Sequence, residues 1–232
     1  MSVEISIIIP TLNEETEIVG TLEQLKSLAG TFEIIVADGG STDDTCELVK
    51  ARGARLVTSE RGRGTQMHSG ALAATGKVLW FLHADSVPPF NAYEEIIKTI
   101  SVTNVVGGNF ALRFDGDSRA AAFMNRFYEN IRHIGLLYGD SGIFVLSDVY
   151  RQTGGFKPMP LFEDLEFIGR LRKRGTLLKV NFPITTSSRR FENRPFLPVF
   201  IRWVLFQGLY WIGVSPARLA RAYKPVRRGE NS

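Results

Sequence analysis

Mostly apolar runs alternate with amphipathic stretches along the first 85 residues of the chain. The runs are rich in β-branched and aromatic residues, as buried strands are, and they cover Val3–Pro10, Phe32–Ala37, Ala54–Thr58 and Lys77–His83. A match to a helix-capping box precedes three apolar residues at helical spacing; these residues are Thr11 and Glu14, then Ile18, Leu22 and Leu25. Further helices are predicted through Lys50 and over Thr65–Thr75. This alternation predicts an α/β fold with a mostly parallel central sheet flanked by helices.

The second half of the chain is less regular. Apolar and other residues alternate from Val106 to Phe114, which predicts a half-exposed strand. The remaining predictions are a helix face at Phe123, Phe127 and Ile131, strands at Gly142–Leu146 and Leu177–Phe182, and a helix over Asp164–Arg174. No change of composition marks a linker before about Arg194. We therefore expect one domain over 1–194 and a helical extension over 195–232.

The extension is aromatic and basic. Phe196–Val214 is the most hydrophobic stretch, but Pro198, Arg202 and Gln207 interrupt it, and a charge at the centre of a membrane span is costly. From Arg189 onward there are nine Lys or Arg against two Asp or Glu. The pattern fits a helix lying at a membrane interface or, equally, one that packs in the core or against a second subunit of a homodimer.

Composition excludes several classes of protein. Cys46 is the only cysteine, so a disulfide framework and a Cys-rich metal site are excluded. The first residues lack the basic-then-apolar pattern of a signal peptide, so we expect a cytoplasmic location, peripheral at the inner face of the membrane if the extension meets lipid. No nucleic-acid-binding signature is present, and nucleic acid is not an expected partner.

Polar residues follow three of the predicted strands. Ligands of open α/β sheets bind beyond the carboxyl ends of the strands, which selects the segments 11–15, 38–41 and 83–86. Asp85 is placed to hold a hard divalent cation, or else to cap the turn before Pro88. Asp38 can accept hydrogen bonds from a base or ribose, although a simple turn residue would look the same.

Two further sets of charged residues could carry chemistry. Glu163 and Asp164 stand at a predicted helix start and could supply a general base, or could be an ordinary acidic helix N-terminus. Four arginines, which suit phosphate oxygens but could be surface charges, are Arg61, Arg63, Arg189 and Arg190. The segment from Gly62 lacks the third glycine of a dinucleotide fingerprint, and the three histidines are too scattered to predict a zinc site.

Taken in order, these segments resemble a family 2 glycosyltransferase with a GT-A fold. The resemblance rests on SIIIPTLNEE from Ser6, EIIVADGGSTDDT from Glu33, GKVLWFLHADS from Gly76 and the acidic pair at Glu163. The resemblance covers roughly residues 3–190, and the sequence also resembles a compact bacterial subgroup with a His-Ala-Asp variant of the DxD motif. It implies a Rossmann-like nucleotide-binding half followed by an acceptor half.

The resemblance also implies roles for particular residues. The donor, a UDP- or GDP-type nucleotide sugar, would be bound by Thr11, Asn13, Glu14, Asp38, Gly39, Arg61, Arg63, His83, Asp85, Arg189 and Arg190. Asp85 would bind Mg²⁺ or Mn²⁺ on the diphosphate. Asp164, with Glu163 beside it, would be the base that deprotonates a hydroxyl acceptor, giving inversion at the anomeric carbon. The acceptor would be lipid-linked or amphiphilic.

Two departures from the family pattern bear on these roles. His83 stands where the first Asp of DxD is expected, which puts metal affinity in doubt. The QxxRW motif of processive members is replaced by Ser187-Ser188-Arg189-Arg190-Phe191, which favours transfer of a single sugar. The alternatives are a sugar-phosphate nucleotidyltransferase, disfavoured because no glycine follows the first strand, and a non-catalytic binder of nucleotide sugars.

Overall fold

An eight-stranded sheet forms the centre of the protein in the computed structural model, which describes residues 4–133, 138–187 and 196–222. The strands are β1 (Ile5–Thr11), β2 (Phe32–Asp38), β3 (Arg55–Thr58), β4 (Val78–Phe81), β5 (Ser86–Val87), β6 (Val105–Phe114), β7 (Phe144–Leu146) and β8 (Thr176–Thr186). Their order across the sheet is β3-β2-β1-β4-β7-β6-β8-β5. The sheet is therefore mixed in direction, with parallel pairing at β3-β2-β1-β4 and β6-β8.

Helices cover both faces of the sheet, as the strand–helix alternation predicts. In the described residues they are α1 (Ile18–Ser27), α2 (Thr45–Ala51), α3 (Arg63–Ala73), α4 (Ala92–Ile100), α5 (Arg119–His133), α6 (Ser147–Gln152), α7 (Glu163–Leu171), α8 (Phe196–Trp211) and α9 (Pro216–Ala222). A 3-10 turn spans Gly139–Ser141. None of these helices is both long enough and apolar enough to cross a membrane.

The first half of the sheet sets the edge on which polar residues converge. β1 pairs in parallel with β2 so that Thr11 lies opposite Asp38, and it also pairs with β4 on its other side. Nearly every residue of β1 and β4 is buried, because helices lie over both faces. The continuous apolar runs are thus explained by a doubly covered parallel sheet.

The capping-box prediction at Thr11 and Glu14 was wrong. Thr11 is the last residue of β1, and α1 begins only at Ile18 after Glu17, which makes no side-chain cap. The Thr11 hydroxyl instead donates to Asp38 across the sheet. Thr11 therefore bonds to a residue of the neighbouring strand and does not cap a helix, although the sequence pattern indicates a cap.

The strand predicted from Val106 to Phe114 is present as β6, but only residues 111–113 are partly or fully exposed. Residues Val105–Phe110 are all buried, and β6 contacts both α4 and α5. The sequence suggests exposure here because the small or polar residues Gly107, Gly108 and Asn109 interrupt the apolar ones, although all three are buried. A Cβ on Gly107 would lie 2.2 Å from the carbonyl oxygen of Phe144, so glycine lets β6 and β7 approach closely.

Three of the four apolar clusters of the described residues fill the spaces between the layers, and the fourth is the small pair Ile143 and Ile168. One lies between the sheet and α1 and α4 and includes Trp80 and Phe110. A second lies on the opposite face and includes Phe81 and Phe167. The third joins α5 to α8 through side chains that include Met124 and Tyr128. The boundary at residue 194 stays a prediction, since residues 188–195 lie outside the described ranges.

Candidate active site

Asp38 anchors the edge of the sheet where β1 and β2 end. Its carboxylate is 4% exposed and accepts hydrogen bonds from the backbone N–H groups of Gly40 (2.9 Å) and Ser41 (2.8 Å), from the Ser41 hydroxyl and from Thr11 Oγ1 (3.2 Å). Burial alone would raise the pKa of Asp38, but hydrogen bonds from Ser41, Gly40 and Cys46 outweigh it and the pKa lies below its usual value. Asp38 is thus a buried carboxylate held ionised at neutral pH.

The loop after β1 is tied to the loop after β2. The Asn13 backbone N–H donates to the Ser41 hydroxyl (2.9 Å), and its side-chain oxygen accepts from the Thr42 N–H (2.9 Å). Asn13 has a positive φ of 57°, a conformation that asparagine tolerates better than most residues. The backbone N–H of Glu14 donates to the Thr45 hydroxyl (2.8 Å). The predicted nucleotide-binding residues of both segments therefore share one rim.

Gln66 of α3 connects the ends of β1 and β2, and the sequence analysis missed it. It is 5% exposed, and its amide nitrogen donates to the carbonyl oxygens of Thr11 (2.5 Å) and Ala37 (3.1 Å). A Cβ on Gly39 would lie 2.9 Å from the Gln66 side chain, so only glycine fits there without movement. The sequence signal that could have identified Gln66 was its polar side chain within α3, a helix that packs on the buried strands β1 and β2.

The segment after β4 carries His83 and Asp85 at the same sheet edge. Asp85 is half-buried, and its Oδ1 accepts from Thr186 Oγ1 at the end of β8 (3.5 Å). The Ala84 carbonyl between them accepts a hydrogen bond from Thr21 (2.5 Å), which fixes the segment to α1. No group of three or more His, Cys, Asp or Glu side chains within the described ranges is arranged to hold a metal ion. Asp85 therefore offers one carboxylate to a cation.

An arginine and two carboxylates form a charged cluster beside this segment. Arg63, the first residue of α3, lies 3.1 Å from Asp140 Oδ1 through Nη2 and 3.2 Å from Glu163 Oε1 through Nε. His83 Nε2 lies 3.3 Å from the same Asp140 oxygen. Asp140 thus joins the segment after β4 to α3.

Asp164 lies at the same cluster, at the start of α7. Its Oδ2 accepts the backbone N–H of Gly139 (2.6 Å) and its Oδ1 the N–H of Leu165 (2.8 Å). A Cβ on Gly139 would lie 2.5 Å from Arg63 Nη2 and 2.9 Å from Asp164 Cβ. The absence of a side chain at 139 therefore allows the 3-10 turn, α3 and α7 to meet.

Burial and charge act in opposite directions on Glu163 and Arg63. Glu163 is 6% exposed, and its pKa is raised because burial outweighs the lowering by Arg63, while Asp164 adds to the rise. Burial alone would lower the pKa of Arg63, but the carboxylates of Asp140, Glu163 and Asp164 outweigh it and the pKa is raised. The site thus holds a fixed positive charge among three acidic side chains.

The structure places the other predicted arginines differently. Arg61 is exposed just before α3, whereas Arg63 points into the charged cluster. Arg189 and Arg190 lie outside the described residues. The remaining predicted residues form two neighbouring groups, one at the β1–β2 edge and one from the segment after β4 to α7. Such an edge can hold a polar ligand near a carboxylate able to accept a proton.

Comparison with known proteins identifies the family. The family model for glycosyl transferase family 2 matches residues 6–152. Glucosyl-3-phosphoglycerate synthase of Mycolicibacterium smegmatis is 33% identical over 96 residues, covering 37% of this chain and 32% of that protein. The PGL/p-HBAD biosynthesis glycosyltransferase of Mycobacterium bovis is 38% identical over 88 residues, covering 34% of each. The chain spans about a third of the length of these curated relatives.

A solved structure extends the likeness beyond these segments. Glucosyl-3-phosphoglycerate synthase of Mycobacterium tuberculosis, crystallised with Mn²⁺, UDP-glucose and phosphoglyceric acid, aligns with a TM-score of 0.66 and 22% identity. The alignment covers 91% of this chain and 80% of that one. The fold predicted by the resemblance is thus confirmed, and because the family model spans more than half of the residues, the chain belongs to glycosyl transferase family 2.

Proposed function

We propose that this protein is an inverting, metal-dependent glycosyltransferase that moves one sugar from a nucleoside-diphosphate sugar to an acceptor hydroxyl. The observation that carries the proposal is the meeting of Asp164 with the segment after β4, through the turn that bears Gly139 and Asp140. The proposal is supported by this arrangement, because the Asp164 carboxylate lies near the sheet edge where the donor is proposed to bind. Membership of the family supports the same reaction.

The donor is proposed to bind along the β1–β2 edge. Thr11, Asn13, Glu14, Asp38 and Gly39 line that edge, and the ionised Asp38 is an acceptor for base or ribose donors. The mycobacterial relative was crystallised with UDP-glucose, which makes UDP-sugars the first donors to test and GDP-sugars the second.

Asp85 is proposed to hold Mg²⁺ or Mn²⁺, with His-Ala-Asp standing at the DxD position. A half-buried carboxylate at the end of a strand fits a hard cation that takes its other ligands from water and phosphate oxygens. When bound, the cation stabilises the negative charge that develops on the departing diphosphate. His83 keeps its contact with Asp140 and helps to hold the segment.

Asp164 is proposed to take the acceptor's proton. The acceptor oxygen then forms a bond to the anomeric carbon from the face opposite the diphosphate, while the bond from that carbon to the phosphate oxygen breaks, and the configuration inverts. The Gly139 and Leu165 N–H groups orient the carboxylate. Arg63 and Glu163 act as positioning residues, because Arg63 pairs with the two carboxylates on either side of it.

The acceptor is proposed to be lipid-linked or amphiphilic, so that the protein works at the cytoplasmic face of a membrane. The support is the apolar and basic character of residues 196–222, which membrane contact would satisfy and a homodimer interface would satisfy in part. Arg189 and Arg190 remain candidates for binding the diphosphate of the donor or an anionic acceptor. The domain division at residue 194 is kept as part of this proposal.

The test is the release of nucleoside diphosphate from UDP- and GDP-sugars in the presence of Mn²⁺. We expect EDTA and Asp85→Asn to abolish release, and Asp164→Asn to slow it by about a hundredfold or more, as loss of a general base does. The control is Asp148→Asn, whose side chain is 85% exposed on α6. Full activity in both site variants would overturn the mechanism.

Two other outcomes would identify the alternatives. Pyrophosphate release from a nucleoside triphosphate and a sugar phosphate would indicate a nucleotidyltransferase. Tight binding of a nucleotide sugar by calorimetry, without turnover across many acceptors, would indicate a binding protein.

A further inference from the structure

The outward face of α8 is apolar and exposed. Six large hydrophobic side chains between 50% and 78% exposed lie on this helix and the residue after it: Leu197, Ile201, Val204, Leu205, Trp211 and Ile212. Their spacing of three, four and seven residues puts most of them on one stripe. We call these six side chains the α8 stripe. Only six other large hydrophobics in the described residues are exposed to a comparable degree, and they are spread over the rest of the fold.

The opposite face of α8 is already occupied by the protein's own core. Phe196, Phe200 and Trp203 pack against the cluster under α5, and Phe206 is 9% exposed. Phe123 of α5 contacts the rings of Phe196 and Phe200 and is itself 47% exposed, so the apolar surface continues onto α5. The protein's own core therefore covers one side of α8 and leaves the α8 stripe exposed.

The charges around the stripe have one sign. Residues 196–222 contain no Asp or Glu and three arginines, Arg202, Arg218 and Arg221. Arg218 and Arg221 are exposed on α9, and the sequence continues with Lys224, Arg227 and Arg228. Exposed aromatic and aliphatic side chains beside arginines match the interfacial layer of a bilayer that carries anionic headgroups.

We propose that the α8 stripe docks on an anionic lipid surface and that Arg218 and Arg221 contact its headgroups. A second copy of the chain fits the stripe less well, because a two-fold interface would bring the same arginines together without acidic partners. The helix has 16 residues and is about 24 Å long, shorter than the ~30 Å hydrocarbon core, so it lies on the bilayer.

Docking by the α8 stripe would place the charged cluster next to the membrane. The inner side of α8 contacts Tyr138 and Phe162. Gln207 Nε2 donates to the Tyr138 hydroxyl (2.8 Å), and Tyr210 stacks on Phe162 with ring centroids 4.7 Å apart. Gly139 follows Tyr138, and Glu163 and Asp164 follow Phe162. This inference rests on the proposed function in one respect only, namely that the acceptor is lipid-linked or amphiphilic.

The experiment measures co-sedimentation of the full chain with vesicles, without nucleotide sugar. We expect binding to phosphatidylcholine vesicles that contain phosphatidylglycerol, and weaker binding to phosphatidylcholine alone. Ile201→Glu/Leu205→Glu should weaken binding at least about tenfold, because it places two carboxylates in the apolar contact. The matched control, Leu72→Glu/Phe90→Glu, changes two still more exposed apolar side chains outside the stripe and should bind as the wild type does.

A charge variant covers the case in which the stripe variant fails to fold. Arg218→Glu/Arg221→Glu alters only exposed side chains and should weaken binding to the anionic vesicles about tenfold or more while leaving the melting temperature unchanged. No binding by the wild type, or equal binding by the stripe variant, would overturn the inference. So would a concentration-dependent dimer, seen by light scattering, that the stripe variant abolishes. Donor hydrolysis without vesicles tests the proposed function separately.

Discussion

Asp38 shows how local hydrogen bonds can keep a buried carboxylate charged. Four donors from Thr11, Gly40 and Ser41 surround its two oxygens, so the ionised form is favoured in the folded protein despite burial. In the unfolded chain those donors are lost and the pKa returns towards its usual value of about 3.9. The carboxylate therefore links folding to pH, apart from any role with a donor.

Asp38→Asn should lower the free energy of unfolding at neutral pH by about 2 kcal/mol, because it removes hydrogen bonds to a charged acceptor. Since the folded pKa is depressed, this contribution is complete above the unfolded pKa and is lost as the pH falls through the folded value. The difference between variant and wild type should therefore shrink below about pH 4. Urea unfolding at several pH values measures it, with the exposed Asp117→Asn as the control. A difference independent of pH would contradict the assignment.

Gly139 offers a second prediction at this scale. In Gly139→Ala the new methyl group would lie within 3 Å of both Arg63 and Asp164, so the turn must move away from the proposed base. We expect loss of most donor turnover and a fall of about 1–3 kcal/mol in the free energy of unfolding, as overpacking produces.

Gly169→Ala is the matched control for that substitution. It lies in α7 with open space around it and should stabilise the protein by about 0.5–1 kcal/mol without changing turnover. Denaturant unfolding and the donor hydrolysis assay measure the two effects. Equal activity in both variants would show that Gly139 is not needed at the cluster.

At the scale of elements, the sequence best predicts the bounds of strands and helices that depend on short-range patterns. β1 to β4 lie within about two residues of their predicted bounds, because buried parallel strands are continuous apolar runs. β8 continues to Thr186, four residues beyond its prediction, since a register shift near Pro183 accommodates a residue that usually marks the end of a strand. α3 begins at Arg63, two residues before its predicted start, which turns the arginine into the site.

Contacts between distant segments could not be predicted in this way. Arg63 and Asp140 are separated by 77 positions, and Gly139 and Asp164 by 25. Strand ends indicate where Asp38 and Asp85 lie, because a parallel sheet brings its carboxyl ends together. No periodicity relates Asp140 or Gln66 to that edge, since their placement depends on how α3 and the 3-10 turn pack.

Tyr210 tests whether α8 supports the cluster. Its ring stacks on Phe162, and its pKa is raised by burial and by the nearby charges of Glu166 and Asp164. Tyr210→Ala should lower kcat about tenfold with little change in the KM for the donor, because the start of α7 loses a ring contact while the β1–β2 edge is untouched. Trp211→Ala, the exposed neighbour, should leave kcat in solution unchanged. Steady-state kinetics without vesicles separate the two, and similar values for both variants would refute the supporting role.

At the scale of the whole molecule, the two halves of the sheet contribute different parts of the site. The parallel strands β1, β2 and β4 supply the edge with Asp38 and Asp85, whereas the segments around β7 and β8 supply Asp140, Glu163 and Asp164. A donor spanning both groups would add contacts between segments that the β4–β7 pairing and a shared apolar cluster already join. Its binding should therefore stabilise the folded chain as a unit.

A nucleotide sugar should raise the melting temperature, because a ligand that binds only the folded state adds about 2.7 kcal/mol at a hundred times its Kd. For a chain of 232 residues this corresponds to a shift of several degrees. Scanning UDP-, GDP- and dTDP-sugars by differential scanning fluorimetry, with and without Mn²⁺, identifies the base that binds. Asp85→Asn should remove the dependence on Mn²⁺, and Asp38→Asn should reduce the shift at saturating Mn²⁺, because one substitution acts at the proposed cation site and the other at the nucleotide edge. A shift that both variants retain in full would place the donor elsewhere on the protein.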